Sequence, residues 1–202
     1  MENTKTRYIA KVAILSALAT VIMFIETPIP FMPPFLKLDL SELIVMLGAF
    51  ALGPLAGVLI ELVKNLVHVA FTITGGIGEL ANFIVGCAYV VPAAIIYSRN
   101  KNIKTAIIGL IAGSISMVVV AAFMNYLVLI PLYVKIFAEQ FGTTFDKSLQ
   151  SIVQTSAQKN SGIIDLKTLI LFGVIPFNAI KVVIISLLTF ITYKKVSPIL
   201  KV

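Results

Sequence analysis

Charge is scarce in this chain, only 12% of 202 residues, and there is one cysteine, Cys87, and one histidine, His68. A lone cysteine excludes an internal disulfide, and with a single histidine it leaves no ligand set for structural zinc and no redox pair. A soluble domain is about 25% charged and about 45–50% apolar; here 59% of residues are hydrophobic and the mean hydropathy is +1.04. That excludes a soluble globular protein. A membrane-crossing helix takes about 20 apolar residues, so the chain holds about six of them and no second, aqueous catalytic domain. No Walker A pattern, dinucleotide-binding glycine motif or nucleophile with an adjacent base is present, which argues against an enzyme. The net charge of +7 reads as cytoplasmic loop charge in so apolar a protein, and not as a nucleic-acid footprint. The apolar run after Arg7 has no small-residue cleavage site, so it reads as a retained first span rather than a signal peptide.

What is present is a series of apolar runs between basic clusters. They predict an all-α integral membrane protein, a bundle of six transmembrane helices forming one domain over 1–202: helix 1 at 8–25, helix 2 at 40–52, helix 3 at 54–71, helix 4 at 79–97, helix 5 at 104–136 and helix 6 at 166–193. Residues 43–71 taken as one helix would be about 43 Å long, against a hydrocarbon core of about 30 Å, and Gly53-Pro54 is where that run breaks. With the break, Lys5/Arg7/Lys11, Arg99/Lys101/Lys104 and Lys194/Lys195/Lys201 fall on one side. The positive-inside rule makes that side cytoplasmic. Both termini are then cytoplasmic, in a multi-pass membrane protein. The outer connections are a proline-rich 26–39, a 72–78 segment with Gly75-Gly76, and a polar 137–165.

Ionisable and amide side chains inside such spans are costly, and each needs a partner or a ligand. Asn178 and Lys181 share a helix face; at about 1.5 Å per residue they lie about 24 and 20 Å above the inner boundary, and Asn125 lies at a similar outer level on helix 5. An intramembrane asparagine also serves as interhelical glue, worth about 0.6 kcal/mol, so either role is open. Glu61, Lys64, Asn65 and His68 on helix 3 read as an internally paired structural cluster, Glu61 and Lys64 being three apart, with Glu61 as the nearest carboxylate for His68. Glu79 and Asn82 open helix 4, where Glu79 either complements the helix N-terminus or meets a ligand. Asp39, beside its loop neighbour Lys37, is either the N-cap of helix 2 or a ligand contact. On helix 1, Ala10, Ala13 and Ala17, with Ser16 and Thr20, form a small-residue ridge suited to internal packing or to a docking partner.

Four stretches carry a family resemblance: Phe35-Leu-Lys-Leu-Asp-Leu-Ser-Glu42, Leu47-Gly-Ala-Phe-Ala-Leu-Gly-Pro-Leu-Ala-Gly57, Gly75-Gly-Ile-Gly-Glu-Leu-Ala-Asn-Phe83 and Phe177-Asn-Ala-Ile-Lys181. Across nearly its whole length the chain resembles the membrane-embedded S components of energy-coupling factor (ECF) vitamin transporters, and the last two stretches with Asn125 are similar to the riboflavin branch. The resemblance implies an extracellular pocket closed by the first loop. It also implies that helix 1 docks through Ala10, Ala13 and Ala17 on the transmembrane coupling subunit EcfT, which two cytoplasmic ATPase subunits drive. The resemblance further implies a multi-pass protein of a prokaryotic plasma membrane, with riboflavin as a transported ligand and no cofactor. Asn125, Asn178 and Lys181 would contact the flavin, with Lys37, Leu38 and Asp39 of the first loop and Glu79 and Asn82 of helix 4 contributing further groups. Phe35, Leu36, Leu38 and Met46 are candidate apolar lining. Only Lys37 and Lys181 could meet a phosphate, which favours free riboflavin. A different flavin or vitamin on the same scaffold, and a membrane scaffold protein with no pocket, are the alternatives.

Overall fold

The computed structural model describes residues 2–72 and 75–200. Ile73 and Thr74 of the 72–78 segment, and Lys201 of the last basic cluster, lie outside the described residues. Helix α1 covers Glu2–Met23, and a two-strand hairpin follows, β1 Thr27–Pro28 pairing antiparallel with β2 Lys37–Leu38. Then come α2 Ser41–Leu52, α3 Pro54–Val69 and α4 Ile77–Arg99. Helix α5, Ile103–Met124, runs through a π turn at Asn125–Leu129 into α6, Ile130–Gln140. After α7, Phe145–Ala157, the short α8, Leu166–Leu169, passes through a second π turn at Ile170–Val174 into α9, Ile175–Leu200.

The expected break between the second and third helices falls at Gly53, whose φ of 102° suits glycine, with Pro54 opening α3. Four helices among the described residues are long and apolar enough to cross a membrane: Thr4–Met23, Ile77–Arg99, Ile103–Gln140 and Leu166–Lys195. At 12 and 16 residues, α2 and α3 fall short of the usual spanning length. The all-helical expectation therefore holds.

The 137–165 connection is not a polar loop. Helix α6 extends to Gln140 and α7 occupies most of the remainder. Leu149, Ile152 and Val153 give α7 one apolar stripe that packs on the core, while Thr144 caps its start by accepting from the Lys147 N–H. Gln150, Ser151, Gln154 and Thr155 on the exposed face, and the buried Ser148 and Ser156, disguise that stripe in the sequence.

Each π turn precedes an Ile-Pro pair, Ile130-Pro131 and Ile175-Pro176. Proline has no N–H to donate and its ring clashes with the carbonyl four residues back, so the helix takes one wide turn there instead of breaking. The two wide turns pack against each other.

Helices α4 and α5 approach closely because α5 presents glycine where they cross. A Cβ built on Gly109 would lie 2.6 Å from the Ala93 carbonyl oxygen, and one on Gly113 would strike the Tyr89 carbonyl. This Gly109-x-x-x-Gly113 spacing is the small-residue packing motif of membrane helices. Gly109→Ala is expected to cost about 1–3 kcal/mol by overpacking, seen as a lower thermal midpoint in detergent; an unchanged midpoint would refute the close crossing. At the end of the bundle that carries Arg99, Lys194 and Lys195, the rings of Phe50 and Tyr97 stack with centroids 4.3 Å apart and Tyr193 meets both edge-on.

Candidate functional site

The hairpin, α2, α4, the α5–α6 helix, α7 and α9 enclose a cavity with about 980 Å³ of atom-free space, its open mouth included. Its walls are mostly apolar: Phe35 and Leu36 from the first loop, Ile77, Ala81 and Val85 from α4, Met117 from α5, Leu129 and Tyr133 around the first π turn, and Phe177 from α9. Few polar side chains reach it, namely Lys37, Glu42, Asn82, Asn125, Asn178 and Lys181. Apolar walls with a few convergent polar groups are the usual build of a small-molecule site.

The two π turns position two of the amides. Asn125 opens the first turn and donates from Nδ2 to the Ala121 carbonyl at 2.8 Å; Asn178 follows the second and donates to the carbonyl of Val174, the turn's last residue, also at 2.8 Å. One amide hydrogen of each is thereby committed to its own helix, fixing the side chain, while an amide still has a second hydrogen and an acceptor oxygen to offer. The Oδ1 of Asn82 is buried and accepts nothing.

The first loop is pinned over the site. Lys37 pairs with Glu26 across the base of the hairpin, and Pro33 packs on the second π turn at Gly173, where a Cβ would lie 2.8 Å from the proline Cγ. This holds Phe35 and Leu36 against the cavity.

Beneath the cavity lies a buried ionic network. Lys181 donates to Asp39 Oδ2 at 3.0 Å and lies 3.6 Å from Glu42 Oε1. Lys64 contacts Glu42 Oε1 at 2.9 Å and Glu61 Oε2 at 3.1 Å, and donates to the Ser41 hydroxyl. Asp39 accepts from the Ser41 N–H and hydroxyl, so it ties down the start of α2 although Leu40 occupies the N-cap position. The network joins the loop, α2, α3 and α9 at the level of the binding groups.

The structure thus brings Asn125, Asn178, Lys181, Asn82 and Lys37 of the sequence-predicted set to one cavity. Leu38, Asp39 and Glu79 are not on its wall. Asp39 stands behind Lys181, and its loop neighbour Lys37 pairs with Glu26 instead. Glu79 contacts His68, Oε1 to Nδ1 at 2.8 Å, so the histidine's carboxylate is on α4 and not at Glu61. Of the candidate lining, Phe35 and Leu36 reach the cavity, while Met46 is in the core. Glu42 was not among the expected residues; its only sequence signal is an acidic side chain at the start of an apolar run.

Helix α1 carries a separate surface. Ala10, Ala13 and Ala17 are exposed, beside exposed Ile14 and Val21. Ser16 and Thr20, expected on the same ridge, are buried and donate to the carbonyls of Val12 and Ser16. The outward ridge is therefore alanine alone. Among the described residues, no α1 side chain borders the cavity.

Residues 7–193 match the family model described as the ECF transporter, substrate-specific component. The chain is 37% identical over 190 residues to the riboflavin transporter RibU of Staphylococcus aureus (strain TCH60), spanning 94% of this chain and 90% of that one. It is 28% identical over 199 residues to the riboflavin transporter FmnP of Bacillus subtilis (strain 168), spanning 96% and 94%. The fold matches a solved structure, described as the S component of a bacterial ECF transporter, with a TM-score of 0.75 and 33% identity over 98% of this chain and 99% of that one.

Proposed function

The chain belongs to the substrate-specific components of ECF transporters, and from that membership we propose that its cavity captures riboflavin from outside the cell for uptake driven by a separate energising module. The observation that carries this reading is the convergence of Asn82, Asn125, Asn178 and Lys181 on one apolar cavity. An isoalloxazine ring has an apolar benzenoid edge and a pyrimidine edge of alternating donors and acceptors. Asparagine amides offer both kinds of partner, and Lys181 can only donate. Lys37 is already paired with Glu26, and Lys181 with Asp39, so neither cation is left for a phosphate and free riboflavin is the favoured ligand.

In the membrane, α2 and α3 act as two short spans beside the four long ones, giving six crossings and cytoplasmic termini. The clustering of Lys5, Arg7 and Lys11 with Arg99, Lys101 and Lys104 and with Lys194 and Lys195 supports that orientation in a bacterial plasma membrane. The cavity then opens outward. The alanine ridge of α1 engages EcfT, which two cytoplasmic ATPases drive, and the bundle reorients to release its ligand inside. No bond is made or broken in the ligand.

Protein purified in detergent is expected to carry a flavin absorption spectrum, or to acquire one on adding riboflavin. Asn178→Leu is expected to weaken binding about ten- to hundredfold, since a flavin group left unpaired in the cavity costs about 1–3 kcal/mol. A colourless protein that binds no added riboflavin would overturn the assignment, and an Asn178→Leu variant of full affinity would overturn the site.

A further inference from the structure

The network beneath the cavity does not balance. Asp39, Glu42 and Glu61 supply three carboxyl groups, and Lys64 and Lys181 supply two ammonium groups. All five residues are buried, with Glu42 at 1%, Glu61 at 0% and Lys64 at 0% exposure. Fully ionised, the cluster would keep one net negative charge out of water, which folded proteins avoid by neutralising a group.

The unpaired atoms show where the imbalance sits. Among the described residues, Glu42 Oε2 and Glu61 Oε1 are buried and accept from no donor, while the other oxygen of each carboxyl group, Glu42 Oε1 and Glu61 Oε2, contacts the same Lys64 ammonium at 2.9 and 3.1 Å. Two carboxylates sharing one buried ammonium repel each other, which favours protonating one of them, and a carboxylic acid can donate to a carboxylate. Helix α4 encloses the pair: a Cβ on Gly86 would lie 2.7 Å from the Glu61 carboxyl carbon.

We propose that Glu42 and Glu61 form a binding site for one proton, carried by Glu61 and donated to Glu42. Each neighbouring element supports that placement. Glu42 on α2 faces both Lys64 and Lys181, at 2.9 and 3.6 Å, and is the better anion. Among the described residues, Glu61 on α3 has Lys64 alone as a cation, with Asn65 donating to Oε2 at 3.1 Å. From α4 come the Cys87 thiol and the bare Gly86 backbone; from α9 comes Lys181, held by loop residue Asp39. Glu42 also borders the cavity, so the proton has a way in and out through the same mouth as the ligand. No bond other than O–H forms or breaks. The proposal does not depend on which molecule the cavity takes.

Infrared difference spectroscopy of the full-length protein in detergent, wild type against Glu61→Gln at neutral pH, tests it. The expected result is the complete loss in the variant of a protonated-carboxyl carbonyl band that shifts in D2O. A difference made of carboxylate bands would overturn the proposal. Glu42→Gln provides the second arm: it removes the surplus carboxyl group, so Glu61 is expected to ionise against Lys64 and the acid band to disappear in this variant too, and a band that neither variant touches overturns the site. A metal cation is the rival occupant. Replacing sodium and potassium by choline is expected to leave the thermal midpoint unchanged; a midpoint that follows either ion, with carboxylate bands at both residues, assigns the site to that cation instead.

Discussion

Lys181→Ala is expected to lower both riboflavin affinity and thermal stability, and adding Asp39→Asn is expected to restore most of the stability without the affinity. Lys181 is 4% exposed; its ammonium is 3.0 Å from Asp39 and 3.6 Å from Glu42, and the same side chain borders the cavity. Removing it strands a buried carboxylate, and breaking a buried pair from one side costs about 3–5 kcal/mol. Asparagine at position 39 removes the stranded charge and keeps an oxygen for the Ser41 N–H. The cavity has still lost its donor, so affinity does not return. Thermal midpoints and flavin-fluorescence titrations on both single variants and the double variant read the two effects separately, and the cycle isolates the coupling. A Lys181→Ala protein as stable as wild type would refute the structural role of the pair. Recovery of affinity in the double variant would mean that Lys181 serves Asp39 and not the ligand.

This dual role shows what the sequence makes legible and what it does not. Asn125, Asn178 and Lys181 are visible from depth alone, because a polar group inside an apolar run is expensive wherever the helix packs. The partner of Lys181 is not visible. Asp39 is 142 residues away along the chain, and no local spacing links a loop carboxylate to a distant ammonium. Glu61 and Lys64, by contrast, pair at three residues apart as helix geometry requires, but the addition of Glu42 depends on how α2 and α3 cross. The contact from Glu79 to His68 depends in the same way on the α3–α4 approach. The break at Gly53-Pro54 follows from proline's missing N–H and glycine's freedom and can be read from the chain, whereas the two wide turns before Pro131 and Pro176 cannot, since Pro92 sits inside α4 with no such turn. The helix α7 was hidden because its few apolar residues are spaced helically but outnumbered by polar ones.

Tryptophan at both Ala13 and Ala17 is expected to abolish riboflavin uptake in cells that express the energising module, while leaving flavin binding by the purified protein unchanged. Helix α1 has two distinct faces. Val12, Leu15, Ser16, Ala19 and Thr20 are buried against the bundle, and Ala10, Ala13 and Ala17 point away from it. A lipid-facing surface gains nothing from alanine, since larger side chains are equally soluble in acyl chains; a row of alanines lets another helix backbone approach closely. Bulky rings would prevent that approach without reaching the cavity, which no α1 side chain among the described residues borders. Ile115 of α5, 61% exposed, supplies the control: tryptophan there meets lipid and should leave uptake intact. Lost binding in the double-tryptophan variant would mean that the ridge supports the fold, and uptake equal to wild type would mean that the coupling subunit docks elsewhere. Loss of uptake with full binding would separate capture from coupling. The polar set among α4, α5 and α9 then serves the first and the alanine face of α1 the second, which is the division of labour a subunit without its own ATPase requires.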